Sequence, residues 1–162
     1  SEEPVLMDLD KTLKDQMLIF DNKENIKMQY IGMENALVMA PRPQLIRVFV
    51  NLMTNAVQAV EMAQKEALEK GSEPKPGKVR IFLRKSTKRG FYDVVFEDNG
   101  PGVPDENIEK LFTPNFTTKS SGTGLGLAIC RNIIEKCDGD ITYHKSFTLG
   151  GASFTVTLPK LK

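Results

Sequence analysis

The chain has 162 residues, of which 40% are hydrophobic and 27% charged, the profile of one soluble globular domain large enough for a real core. A formal net charge of +1 gives no electrostatic case for nucleic acid or a membrane surface, and no apolar run approaches the ~20 residues of a membrane span. The acidic opening Ser-Glu-Glu-Pro lacks the layout of a signal peptide, and the absence of an initial methionine points to a processed or excised piece.

Residues 13–20 carry helical spacing, with Leu13, Met17 and Phe20 on one side. Residues 26–31 and 36–39 read as short strands around a turn at Gly32. Pro41 and Pro43 bracket the start of a long helical pattern that runs to about Glu69. Residues 71–77, which contain Pro74 and Pro76, form a surface loop. Residues 79–85 and 92–97 alternate apolar and polar positions around Arg89-Gly90, the pattern of a hairpin. Residues 99–122 show little periodicity beyond a helical turn near 108–112, and so long a segment in a compact domain tends to be functional or mobile. Residues 125–137 form an amphipathic helix stopped by Asp138-Gly139. Residues 141–144 and 152–158 close the chain as strands, with Gly150-Gly151 between them.

Helices and strands interleave, but the hairpin signals argue against a purely parallel sheet. The expected fold is α+β: a two-layer α/β sandwich whose mixed, mostly antiparallel sheet is covered on one face by helices. Cys130 and Cys137 fall seven apart on one helix, ~10 Å at ~1.5 Å rise per residue, too far for a disulfide. They read as buried, reduced packing residues, which suits a cytoplasmic setting. One histidine and two such cysteines do not make a zinc site.

On the long helix, Asn51, Asn55 and Gln58 share a narrow stripe well removed from Leu45, Phe49, Leu52, Ala56 and Val60, which pack on the sheet. An Asn carbonyl is a neutral hard-oxygen ligand suited to Mg²⁺ shared with phosphates, although a polar stripe is also the ordinary look of a solvated edge. Asp98 follows a strand and precedes Asn99-Gly100-Pro101-Gly102. A carboxylate there can accept from the exocyclic amine of adenine; Asp-Asn-Gly alone is as readily a simple turn. Gly122-Thr123-Gly124-Leu125-Gly126-Leu127 opens a helix whose amides favour an anion, with Thr117, Thr118 and Lys119 just upstream. Glycine packing is the alternative there. The spacing is neither a dinucleotide fingerprint nor a P-loop.

Taken in order, these segments resemble the catalytic domain of histidine kinases. Asn-Leu-Met-Thr-Asn-Ala (51–56) is similar to the N box and Asp-Asn-Gly-Pro-Gly (98–102) to the first glycine box. Leu-Phe-Thr-Pro-Asn-Phe-Thr-Thr-Lys (111–119) resembles the F box and Gly-Thr-Gly-Leu-Gly-Leu-Ala-Ile (122–129) the second glycine box. Gly150-Gly151 and residues 154–159 resemble the closing glycine element and last strand. The resemblance covers roughly residues 5–160, and the run from Phe116 is nearest to kinases of the nitrogen-regulation type.

The resemblance implies a Bergerat-type ATP site, as in gyrase, Hsp90 and MutL. Asn55 would bind Mg²⁺, Asp98 would read adenine, Gly100 and Gly102 would shape the base pocket, and Asn51 would lie near the phosphates. Residues 99–123 would form an ATP lid anchored by Phe112 and Phe116. Thr118, Lys119 and the residues Gly122, Thr123, Gly124, Leu125 and Gly126 would meet the phosphates, with the stretch 117–122 mobile when empty and ordered by nucleotide. Asn51, Asn55 and Lys119 are the expected catalytic residues.

Two departures from the family pattern shape the expected activity. ATP-hydrolysing relatives carry a glutamate four residues before the metal Asn, where this chain has Asn51; an amide cannot take a proton from water, so ATP would be held for transfer rather than hydrolysed. Many histidine kinases also place a basic residue and an aromatic three and four positions after that Asn, where this chain has Gln58 and Ala59. Lys119 or Arg131 would then meet the phosphate charge.

Upstream of Leu13 there is no room for the helical hairpin that bears the phosphorylated histidine, and His144 lies in a late strand as an ordinary surface residue. The expectation is therefore a single catalytic ATP-binding domain, 1–162, monomeric in isolation and excised from a longer, possibly membrane-anchored kinase. Its partners would be the histidine-bearing dimerisation domain of the same parent and a response regulator receiver domain, with no nucleic acid. Two other functions are compatible with the site: a stand-alone serine kinase of the anti-sigma-factor type, and a nucleotide-sensing module without turnover.

Overall fold

A computed structural model of the chain describes residues 3–20, 23–114, 116 and 126–162. The longest element is α2, Arg42–Glu69, with Pro43 in its first turn, where a missing N–H leaves no bond unmade. Leu45, Val48, Phe49, Leu52, Met53, Ala56, Val57 and Val60 are buried along it, which reproduces the apolar stripe of the sequence with its flanks filled in. Gly71, at φ +77°, lies just beyond its end.

This stripe packs on a five-stranded sheet made of β2 (Ile26–Ile31), β4 (Gly77–Lys85), β5 (Phe91–Asp98), β6 (Asp140–Lys145) and β7 (Ala152–Pro159). The spatial order is β2-β4-β5-β7-β6, with β2 and β4 parallel and every other neighbour antiparallel. Strand alternation supplies the inner face: Val79, Ile81 and Leu83 from β4, Val94 and Phe96 from β5, and Phe154, Val156 and Leu158 from β7 are all buried. Phe49 of α2 meets Phe96 at 6.0 Å between ring centroids. The shorter helix α4, Leu127–Lys136, adds Cys130 and Ile134 to the same core. The opposite face of β4 and β5 carries ion pairs around an apolar pair: Arg80 pairs with Glu97 and Arg84 with Asp93, with Phe82 opposite Val95 between them.

The mixed, mostly antiparallel sheet with its helices thus matches expectation, as do α2, the β4–β5 hairpin and the two closing strands. The first forty residues differ. A strand not foreseen, β1 (Val5–Asp8), precedes the first helix, and α1 runs Leu9–Met17, four residues earlier than the spacing predicts. Asp8 explains the shift, because its carboxylate accepts from Lys11 N at 3.2 Å and caps the helix. Leu18–Phe20 is a 3₁₀ turn that exposes Leu18 and Ile19. The strands flanking Gly32 are also no hairpin: β2 runs parallel to β4 at the edge of the main sheet, while β3, Leu37–Ala40, pairs with β1 in a separate ribbon. Gly32 passes so close to the Asp10–Tyr30 hydrogen bond that a side chain there would strike both partners.

Because Phe49 is fully buried and packs at a tilt against Phe96, Phe49→Ala should lower unfolding stability by ~3–5 kcal/mol. Urea titration would read this as a reduced midpoint at an unchanged slope.

Candidate functional site

Asp98 is the last residue of β5 and is 3% exposed. Its Oδ1 accepts from the amide of Gly100 at 2.9 Å and from that of Ala152 at 3.2 Å, and the Gly151 amide donates to its main-chain carbonyl at 3.1 Å. The carboxylate is therefore held between the turn that leaves β5 and the start of β7. Two glycines make this possible. A Cβ on Gly100 would stand 2.8 Å from the backbone of Ala59 on α2, and one on Gly151 would collide with the Asp98 carboxylate itself. Gly102 lies against Gly151 at φ +76°.

The neighbouring wall is α2. Asn55 and Gln58 are half-buried on it, and Ala59 is where the Gly100 turn packs. Asn51, one turn earlier, is 4% exposed; its Nδ2 donates to Cys130 Sγ at 3.5 Å, and its Oδ1 is a buried acceptor without a hydrogen-bond partner among the described residues. An orphaned buried carbonyl oxygen is costly, and such an atom in a native site calls for a cation or a donor. Among the described residues no cluster of three or more His, Cys, Asp and Glu could hold a metal.

The remaining wall is aromatic. Phe112 meets Phe154 edge-on at 6.3 Å, and Phe154 packs on Tyr143 at 5.3 Å. Val103 N donates to the Tyr143 hydroxyl at 3.4 Å, which ties the segment after Gly102 to β6. Phe116 packs against the same core. Arg131 lies with its guanidinium 4.0 Å from the Phe112 ring centroid and donates to the Ile141 carbonyl at 2.8 Å. That engagement holds the guanidinium between the Phe112 ring and β6. The helical turn in this segment is α3, Asp105–Ile108, slightly earlier than expected.

A family model for histidine kinase-, DNA gyrase B-, and HSP90-like ATPases matches residues 40–162. The chain belongs to that family. Among solved structures, the nucleotide-free catalytic domain of histidine kinase ThkA superposes with a TM-score of 0.80 at 31% identity, covering 98% of this chain and 96% of that one. A second match is histidine kinase ThkA in complex with response regulator protein TrrA, with a TM-score of 0.74 at 27% identity over 98% of this chain and 42% of that one. Sensor protein FixL of Bradyrhizobium diazoefficiens is 34% identical over 138 residues, 85% of this chain and 25% of that protein. The chain thus spans about a quarter of the length of the curated relatives it matches.

Within this ATPase fold, Asp98, Gly100 and Gly102 come together at the end of β5, with Gly100 against Ala59 of α2, while Asn55 and Asn51 lie one and two turns earlier on that helix. Gly126 caps α4. Thr118, Lys119, Gly122, Thr123, Gly124 and Leu125 lie outside the described residues, as does the stretch 117–122 expected to be mobile. His144 is an exposed residue of β6. Sequence reasoning missed Ala152, Tyr143 and Phe154. The Tyr143–Phe154 pair is directly cross-strand in the β6–β7 register, so pairing the two predicted closing strands would have exposed it. The contact between Asn51 and Cys130, 79 residues apart, left no local signal.

Burial pushes the Cys130 thiol up to about 11, and burial followed by the nearby Asp138 raises that of Cys137. Both folded-state values exceed the ordinary 9.0, so in the unfolded chain the thiols ionise first. Stability should be intact below pH 9.0 and decline as pH rises from there toward about 11. Denaturation at a series of alkaline pH values checks this, with Cys130→Ala flattening the decline.

Proposed function

We propose that this chain is the catalytic ATP-binding domain of a two-component sensor histidine kinase, binding Mg²⁺–ATP and donating the γ-phosphoryl group to a histidine on a separate dimerisation domain. The phosphoryl group would then pass to an aspartate of a response regulator. One observation carries the reading: a buried carboxylate, Asp98, is braced by two main-chain amides beside the asparagine face of α2. The fold and the company of relatives support it.

A carboxylate is acceptor-only when ionised, so Asp98 selects a base edge that offers an amine, as adenine does. Asn55 would hold Mg²⁺, and the orphaned Oδ1 of Asn51 fits a second neutral oxygen facing the cation or its water. Bound there, Mg²⁺ would offset the charge of the phosphates during transfer. Thr118, Lys119 and the stretch Gly122, Thr123, Gly124, Leu125 and Gly126 would cradle the phosphates, and Phe112 and Phe116 would anchor the lid. The incoming imidazole nitrogen forms the new bond to phosphorus as the bond to the bridging oxygen breaks, and ADP leaves with that electron pair. Asn51 cannot accept a proton from water and its Nδ2 is engaged with Cys130, which favours transfer over hydrolysis.

We place the domain in the cytoplasm, as a single unit over residues 1–162 that is monomeric on its own. No helix among the described residues is long and apolar enough to cross a membrane.

Calorimetry tests the site. Asn55→Ala should weaken Mg²⁺–ATP far more than adenosine, and Asp98→Asn should reduce selectivity for adenine by ~1–3 kcal/mol, the worth of one buried hydrogen-bond partner. Unchanged ATP affinity in both variants would remove the assignment. Incubation with ATP and a supplied histidine-bearing helical domain tests the activity: acid-labile label should appear on that domain and be indifferent to His144→Ala. Label on a protein serine would instead identify a serine kinase, and ATP binding without transfer would identify a sensing module.

A further inference from the structure

Immediately before Asp98, Glu97 projects to the other face of β5 and is nonetheless 7% exposed. Its Oε1 accepts from Arg80 at 2.6 Å, and its Oε2 accepts from the Ser146 hydroxyl at 2.9 Å. Ser146 is 1% exposed and stands at the first position of the β6–β7 turn. It closes that turn from within: Leu149 N donates to its Oγ at 3.0 Å, Gly150 N donates to its carbonyl at 2.8 Å, and its own amide donates to the Gly151 carbonyl at 2.8 Å. The residues so fixed, Gly151 and Ala152, are those whose amides hold the Asp98 carbonyl and carboxylate.

We infer that Ser146 and Glu97 are positioning residues for Asp98, and that this buried clamp sets how strongly the site prefers adenine. The inference rests on the reading of Asp98 as the base-recognising carboxylate. Neither residue reaches the base. Asp98 is gripped from both sides of one strand: Glu97 fixes the turn through Ser146, and the turn returns two amides to Asp98. With Oδ1 bound by the amides of Gly100 and Ala152, the plane of the carboxylate is fixed, and so is the direction in which it accepts. If the Ser146 hydroxyl is removed, Glu97 Oε2 loses that hydrogen bond and the turn loses its internal acceptor, so Ala152 N is free to drift. A carboxylate with a looser plane still attracts donors, but discriminates less between an amine and the carbonyl that guanine presents at the same edge.

The experiment measures the affinity of the 162-residue chain for Mg²⁺–ATP, Mg²⁺–GTP and Mg²⁺–tripolyphosphate, together with its melting temperature. Ser146→Ala should narrow the ATP-over-GTP preference by about tenfold, the worth of one well-aligned hydrogen bond. Affinity for tripolyphosphate, which has no base, should stay as in the parent chain, and Ser146→Thr, which keeps the hydroxyl, should restore the preference. Ser146→Cys, of similar size but a weaker donor, carries the same test if the alanine variant does not fold. A preference unchanged in these variants, or lost only in proportion to tripolyphosphate affinity, would overturn the inference and leave the clamp a purely structural device. Asp98→Asn separates the two levels. If it keeps the full ATP preference, the reading of Asp98 itself falls; if it loses the preference while Ser146→Ala does not, only the positioning role falls.

Discussion

The end of β5 is the point on which this domain depends, because a charged side chain is buried there and must be satisfied by the backbone. A carboxylate taken out of water is tolerated only when donors meet it. Here those donors come from two stretches far apart in sequence, the turn at Gly100 and the start of β7 at Ala152. The requirement is stringent. It brings Gly100 against the backbone of Ala59 and Gly151 against Asp98, approaches that leave no space for a Cβ. The sheet order follows the same need, since β7 lies next to β5 and delivers its first amide to the carboxylate.

The asparagine face of α2 obeys a related rule with a different outcome. Asn51 is nearly as buried as Asp98, yet among the described residues its carbonyl oxygen has no hydrogen-bond partner and its amide nitrogen donates to a thiol, a weak acceptor. The thiol contact also joins α2 to α4, the helix that follows the glycine-rich segment, so the asparagine face and the start of α4 are mechanically linked.

Much of this was legible from the chain. The 28-residue α2 was readable because its apolar residues repeat over many turns between prolines and a glycine, a signal that local accidents cannot erase. The glycine and aspartate positions of the site were readable because their order along the chain is far more specific than any one of them. The beginning was not readable: β1 is four residues with no room to show alternation, and β2 finds its parallel partner across nearly fifty residues that include α2. Parallel pairing has no turn to announce it. The helix cap at Asp8 was visible in principle, but an aspartate before a leucine is too common to outweigh a missing periodicity.

The polar face of the sheet bears on the site in a way its distance from α2 conceals. Across β4 and β5, Arg80 stands opposite Glu97, Phe82 opposite Val95, and Arg84 opposite Asp93. A slip of two residues would keep every inner side chain facing the helices, so hydrophobic burial alone cannot forbid it. It would, however, part Arg80 from Glu97 and Arg84 from Asp93, leaving each buried carboxylate without its guanidinium. The penalty for misalignment is therefore written in charge on the side of the sheet opposite α2. Since such a slip would carry the end of β5 ~7 Å along the sheet, these ion pairs act as a ruler for the opposite layer: they fix the address at which Asp98 is delivered.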